Sequence, residues 1–398
     1  MNGSTQQLVA LMEQYGVPNY QPLPVALVRG EGVWVEDVEG RRYLDMLSAY
    51  SALNLGHRHP KVIAALMEQA GRLTLTSRAF LDQHLGEFCR KLADLTGKER
   101  VLPMNTGAEA VESAIKVMRR WAYRVKGVPE GKAEILVCNG NFHGRTTTII
   151  SFSSEEAYKD GFGPFTPGFR LISYGDAEAL EQAIDEYTAG FLVEPIQGEG
   201  GIVVPPEGYL RRVEEICRRN GVLLAVDEIQ TGLGRTGRMF ASDWEGVKPD
   251  LYILGKSLGG GILPVSAVAG DSEVMNLLTP GSHGSTFGGN PLASAVALAA
   301  LQVLEEEALA QRADEMGRYL MERLSRIAHP QIRQLRGRGL LLGIELAEAA
   351  RPYCERLMRE GVLCKETHER VIRFAPPLVI AREEIDWAVE RIERVFLS

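Results

Sequence analysis

The apolar positions of the chain fall into two repeating patterns. Short runs rich in Val, Ile and Leu, namely Ile135–Cys138, Phe191–Val193, Val222–Val226 and Leu251–Leu254, each give way to a Gly or a polar residue, as strands buried on both faces of a parallel sheet do. Between such runs lie stretches of helical period: Lys61–Arg72, Gly107–Val125 and Tyr209–Arg219. In the second of these, Val111, Ala114, Ile115 and Met118 share one face. This alternation, from about residue 60 to about residue 280, predicts an α/β fold with a mostly parallel sheet flanked by helices.

The two ends read differently. Pro18, Pro22 and Pro24 precede VWVEDVEGRRYLDM, a hairpin pattern with Glu39-Gly40 at its turn. Beyond about residue 295 come long amphipathic helices, then GLLLGIEL, VIRFAPPL and a C-terminal helix. The ends together predict a smaller α+β domain, residues 1–50 with 291–398, packed on a large domain of residues 51–290. The longest uncharged run, His283–Leu304, opens with Gly, Ser, Thr and Asn; its apolar part from Pro291 is short for a bilayer and predicts a buried helix.

Composition narrows the partners. A chain of 398 residues, 45% hydrophobic and 24% charged, can bury a large core, and its net charge of −8 offers no basic footprint for nucleic acid or an anionic membrane. Small molecules or protein remain. Five cysteines without a C-x-x-C pair read as reduced thiols, and with no basic residue before Arg29 the N-terminus lacks a signal-peptide pattern, so a cytoplasmic location is expected. His57 and His59 are closely spaced, but no Cys or carboxylate cluster joins them, and no metal site is expected.

The chemistry gathers at strand ends. Asp227 and Lys256 directly follow two of the apolar runs, where ligands of open α/β sheets bind. A lysine there can hold a carbonyl cofactor as a Schiff base, with the carboxylate on a cation of the cofactor's ring. Two nucleotide motifs compete. Gly255-Lys256-Ser257 lacks the P-loop glycine, since position 250 is Asp, and Gly232–Gly237 reads G-x-G-x-x-G but is followed by no clear helical period. Asn105–Ala110 opens a helix and suits either an anion or plain N-capping with Glu109 as partner. Phe142 and Arg145 of Asn141–Arg145 could stack on a ring and clamp a carboxylate, or be core and surface residues. Glu194–Gly201 ends another run in acids and glycines, Ser285–Pro291 is a hydroxyl-bearing glycine loop, and Arg373 sits in an apolar run where a charge needs a partner or an anion.

Taken together, NYQPLPVALVRGEGVWVEDVEG, LSAYSALNLGHRHP, LTLTSRAF, LPMNTGAEA, NFHGR, EPIQGE, DEIQTGLGRTG, LGKSLGGG, GSHGSTFGGNPLA and VIRFAPPL resemble, in the same order, the blocks of the class III aminotransferases, pyridoxal phosphate enzymes of fold type I. The resemblance spans nearly the whole chain, and is closest to the branch acting on ornithine. It implies that Lys256 carries the cofactor and moves the proton, that Asp227 pairs with the ring nitrogen, that Gln230 binds the ring oxygen and that Phe142 stacks on the ring. It further implies that Thr106, Gly107 and Ala108 bind the phosphate, and that Ser285 and Thr286 reach the phosphate of a neighbouring subunit, which makes a homodimer necessary. On the substrate side it implies Arg145 and Tyr20 for the α-carboxylate of ornithine, Tyr50 for the pocket wall and Arg373 for 2-oxoglutarate, with Glu199 covering Arg373 between turns of a ping-pong cycle. The implied product is glutamate 5-semialdehyde, between arginine breakdown and proline. Enzymes acting on N-acetylornithine or 4-aminobutyrate share the cofactor residues and are the alternatives. One departure is Gly200, where the family usually has Ala; it is expected to loosen the loop carrying Glu199.

Overall fold

The computed structural model describes residues 3–397. Its central sheet has seven strands, in the order Arg100–Met104, Ser266–Gly270, Leu251–Leu254, Leu223–Asp227, Thr188–Val193, Glu134–Cys138 and Phe169–Ile172. Ser266–Gly270 is antiparallel to both its neighbours; every other pairing is parallel. The three middle strands are buried at every position, which is why they show runs rather than alternation.

Successive strand residues feed opposite layers. Ala225, Ile253, Val137 and Leu192 pack with Ala110, Val111, Ala114 and Met118 of the helix Gly107–Trp121. Leu224, Val226, Leu136 and Phe191 pack with Leu210, Val213 and Ile216 of the helix Tyr209–Arg219. Each of the Val, Leu, Ile, Phe and Met side chains among them contributes about 1.5–3 kcal/mol by leaving water. The expected helix Gly107–Val125 ends sooner, at Trp121; its last turn widens into a π-helical turn, Ala122–Lys126, closed by Gly127 at φ 82°.

Two four-stranded sheets lie to the side. One joins the hairpin Leu27–Glu31, Trp34–Asp37 and Arg42–Asp45 to Val362–Leu363; the other is ordered Ile332–Arg338, Leu341–Leu346, Val371–Phe374, Lys365–Thr367. The hairpin turn is set by Asp37, whose Oδ1 accepts from the N–H groups of Glu39 and Arg41, with Gly40 at φ 82°. These sheets are the basis for proposing residues 1–50 with 291–398 as one domain and 51–290 as another. A single apolar cluster, including Val62, Leu92, Tyr252, Leu342 and Phe374, crosses that division. The run after Pro291 is the helix Pro291–Glu306, packed against Pro60–Ala70 and Leu85–Thr96. Among the described residues no helix is long and apolar enough to cross a membrane.

The G-x-G-x-x-G segment is a loop that leads into a short 3₁₀ turn, Ala241–Glu245, not into a dinucleotide-binding helix. Its Arg235 is fully buried and donates to the carbonyls of Leu340 (2.9 Å) and Pro376 (2.6 Å) and to Asn54 Oδ1 (2.7 Å). Burial lowers its pKa to about 9, against an upward pull from Asp45. Arg235 thus ties this loop to the lateral strands. Arg235→Leu strands those acceptors without donors and is expected to destabilise the fold by about 2–4 kcal/mol, read from the midpoint of urea unfolding.

Candidate active site

The parallel register brings Asp227 level with Ile253 on the adjoining strand, and Lys256 follows that strand by one glycine. Lys256 takes φ 46°, a left-handed conformation that costs a residue with a Cβ about 1–2 kcal/mol. Strain at a lysine on a strand end marks a functional position. Burial lowers the Lys256 ammonium to about 8, while Glu199 pulls it upward. A substantial share of this amine is therefore neutral at mildly alkaline pH.

Asp227 is buried and doubly held. Its Oδ2 lies 2.7 Å from His143 Nδ1 and its Oδ1 accepts from the Ile229 N–H at 3.0 Å. Burial would lower the His143 pKa, but its hydrogen bond to Asp227 and the charges of Asp227 and Glu194 together outweigh this and raise it, favouring the imidazolium. His143 Nε2 is buried without a partner among the described residues. Glu194, at the end of the next strand, accepts from the N–H groups of Phe142 (3.0 Å) and Gly198 (3.3 Å), binding the loop of Phe142 to the loop of Glu199. Burial raises its carboxyl to about 7, with His143 opposing. Neither His143 nor Glu194 was expected among the site residues, although Glu194 heads a strand-end block of acids and glycines. Both lie inside quoted blocks, but only a fold shows that their side chains meet Asp227 and Phe142.

Asp227, Lys256, Gln230, Glu199, Phe142 and Gly107 border one cavity of about 150 Å³. A larger cleft, about 840 Å³, lies beside Trp244 and Arg338 and contains none of these groups. Gln230 Nε2 donates weakly to Glu199 Oε1 at 3.4 Å and its Oε1 is buried without a partner among the described residues, so the amide retains hydrogen-bonding capacity. A side chain at Gly198 would collide with that amide, its Cβ falling 1.8 Å from Oε1. Thr106 caps the helix together with Glu109, whose carboxylate accepts from the Thr106 N–H at 2.8 Å, while the next N–H groups, of Gly107 and Ala108, meet no acceptor among the described residues. Capping and an anion cup therefore coexist. Ser285 Oγ accepts from Asn105 Nδ2 at 2.9 Å, beside this helix start in its own chain, and Thr286 is exposed.

The substrate-side residues form two groups. Arg373, 1% exposed, is held by both oxygens of Glu199 at 2.6 and 3.1 Å, and the Tyr50 ring lies 4.9 Å from its guanidinium. The Arg145 guanidinium lies 3.7 Å from the Tyr158 ring and 5.4 Å from that of Phe142, with no carboxylate partner among the described residues. Tyr20 is largely exposed and within electrostatic reach of Tyr50, and among the described residues no hydrogen bond or cation–π pair joins it to Arg145. Tyr50 itself lies in an unusual turn: Ser48, Ala49, Tyr50 and Ser51 all have φ between 46° and 69°. Four consecutive non-glycine residues in this region cost about 1–2 kcal/mol each.

Gly200 does not act as expected. A Cβ there would lie 2.9 Å from the Gly140 carbonyl oxygen, so glycine lets the loop pack closely instead of freeing it. The carboxyl of Glu199 would rise on burial, but the charge and hydrogen bonds of Arg373 overcome this and hold it down to about 2. Its folded value thus lies below the ordinary 4.5, so the stability it contributes is present above pH 4.5 and lost as pH falls towards 2. Glu199→Gln is expected to flatten that part of the acid-unfolding curve, measured by circular dichroism.

Lysine, carboxylate, planar ring and amide on one cavity, with free helix N–H groups at its edge, fit a phosphorylated pyridine aldehyde. Sequence comparison gives the same class: residues 15–396 match the class-III aminotransferase family, and the chain belongs to it. The chain is 63% identical, over 98% of both lengths, to an ornithine aminotransferase of Brevibacillus brevis. It superposes with TM-score 0.98 and 51% identity on the ornithine aminotransferase of Toxoplasma gondii, covering 99% of this chain and 94% of that one; pyridoxal phosphate partly occupies the active site of that protein. An acetylornithine aminotransferase of Elizabethkingia anophelis gives TM-score 0.92 at 50% identity, covering 99% of each chain.

Proposed function

We propose that this aminotransferase moves the δ-amino group of L-ornithine to 2-oxoglutarate, giving glutamate 5-semialdehyde and L-glutamate in ping-pong turns, with pyridoxal phosphate as cofactor. The observation that carries the reading is the Glu199–Arg373 pair beside Lys256. A site that takes a dicarboxylate in one half-reaction and a donor without a carboxylate near the reacting carbon in the other needs a cation that can be covered and uncovered. A buried arginine clamped by a partly exposed glutamate meets that need.

The cofactor, when bound, supplies a carbonyl carbon and an electron-accepting ring. Asp227, backed by His143, holds the proton on the ring nitrogen. Phe142 would stack on the ring, and Gln230 would donate to its oxygen. Gly107 and Ala108 offer N–H groups to the phosphate, together with Thr106. Lys256 Nζ binds the cofactor and carries the proton to and from the substrate carbon. Arg145, stacked but without an acid, takes the α-carboxylate of ornithine with Tyr20, and Tyr50 walls the pocket beside Arg373. Ser285 and Thr286 serve the phosphate of a second copy in a homodimer, a role supported by the exposure of Thr286 and its neighbour Phe287. The reaction belongs between arginine breakdown and proline formation, in the cytoplasm.

Comparing kcat/KM for ornithine, N-acetylornithine, lysine and 4-aminobutyrate, each with 2-oxoglutarate, tests the substrate. Ornithine is expected to lead; a preference for the acetylated amine overturns the proposal.

A further inference from the structure

The turn that carries Tyr50 is unstable in isolation and must be held by something outside itself. Its internal bonds are few: Ala52 N–H to the Ser48 carbonyl at 2.9 Å, Leu53 N–H to the same carbonyl at 3.1 Å, and a long one from Ser51 to Leu47. The buried hydroxyls of Ser48 and Ser51 have no partners among the described residues. The strongest restraint comes from before the turn. Asp45 Oδ1 accepts from the N–H groups of Leu47 (2.9 Å) and Ser48 (2.8 Å), which fixes the entry into the left-handed run. Asp45 Oδ2 meets His57 Nε2 at 2.8 Å, and His57 in turn exchanges backbone hydrogen bonds with Gly32. The aspartate is itself fixed, since its N–H donates to the Val33 carbonyl. Two residues after Arg373, the Ala375 N–H donates to the carbonyl of Met46, next to Asp45. Both ends of the Tyr50–Arg373 contact are thus referred to one short segment.

We propose that Asp45 is a positioning residue that holds residues 48–51 in their left-handed turn and thereby places the Tyr50 ring over Arg373, presetting this arginine for the dicarboxylate substrate. The inference rests on the assignment of Arg373 to 2-oxoglutarate. Tyr50 would restrict the guanidinium to an orientation whose outer nitrogens face Glu199 or an incoming carboxylate, and Asp45 acts only through it. Because the turn is strained only for residues that bear a Cβ, glycine at the exposed Ala49 should remove much of the need for the clamp without removing packing.

The test is a double-mutant cycle on the full-length holoenzyme. Asp45→Ala and Tyr50→Leu are each expected to raise the KM for 2-oxoglutarate by about fivefold, as loss of a partly buried cation–π contact does. The KM for ornithine should change by less than about twofold in Asp45→Ala. The double variant should be no worse than Tyr50→Leu, and Ala49→Gly should restore most of the loss in Asp45→Ala. Additive effects, or no rescue by Ala49→Gly, overturn the proposal by showing that Asp45 acts on general stability. Calorimetric titration with glutarate, an unreactive dicarboxylate, repeats the cycle without turnover. A protein that ignores ornithine yet shows the same coupling towards glutarate refutes the proposed donor and leaves the Asp45–Tyr50 link standing, whereas ornithine turnover without coupling does the reverse.

Discussion

Lys256→Ala is expected to lower kcat for transamination by about 10⁴-fold with little change in fold stability, the loss being of the kind seen when a positioned acid–base group is removed. Two tasks converge on this one amine. It must be a nucleophile towards a carbonyl, which demands a neutral nitrogen, and it must then take and return a proton at the substrate carbon. Burial supplies the first property by lowering its pKa to about 8, and the nearby Glu199 keeps the shift from going further. Among the described residues no second lysine lines the cavity, so the variant has no substitute. Stopped-flow absorbance after mixing with ornithine reads the half-reaction directly. The same variant should lose the visible band that lysine-bound pyridoxal phosphate gives. Retention of both band and turnover would remove Lys256 from the mechanism. Stability should hold or improve, since the substitution deletes a buried amine and relieves none of the core contacts.

Asp227→Asn should lower kcat by about 10²–10³-fold while leaving the cavity's shape intact. Asparagine keeps the volume and can still accept from the Ile229 N–H, but it cannot stabilise a proton on the ring nitrogen or an imidazolium at His143. The mutation therefore removes charge and spares geometry. Burial makes that charge matter, because few waters compete with it. A measured loss of cofactor affinity without loss of kcat would show that Asp227 only binds. The deprotonated ring is expected to reveal itself as a shift in the absorbance–pH curve of the bound cofactor, which a purely structural defect would not produce.

The layered α/β core was readable because buried parallel strands leave continuous apolar runs, and all four runs named from the sequence are strands of the central sheet. Asp227 and Lys256 were readable for a related reason: a strand end is a fixed address, and parallel neighbours put their ends side by side. The pairing of Glu199 with Arg373 came from family resemblance, since no local pattern links residues 174 positions apart. His143 escaped notice because a histidine between an aromatic residue and a glycine carries no period and no spacing; its meaning lies in a contact between its loop and Asp227 at the end of a strand. The left-handed turn at Ser48–Ser51 was invisible, because no residue in it favours that conformation. Local preference predicts something else there, and only the surrounding contacts override it. Gly200 differs for the opposite reason: freedom was expected from glycine standing where the family has alanine, whereas a Cβ there would lie 2.9 Å from the Gly140 carbonyl oxygen, so glycine serves close packing.

The sheet that joins Arg42–Asp45 to Val362–Leu363 imposes an order on biosynthesis. During translation the hairpin emerges early, yet the strand that completes its edge follows roughly 320 residues later, a delay of about 15–60 s at ordinary elongation rates. Over that interval an unpaired edge is open to other chains, a few residues before Ser48–Ser51, which the finished enzyme holds under strain. Chains cut short of residue 362 should therefore be ready clients for chaperones, however complete their central sheet.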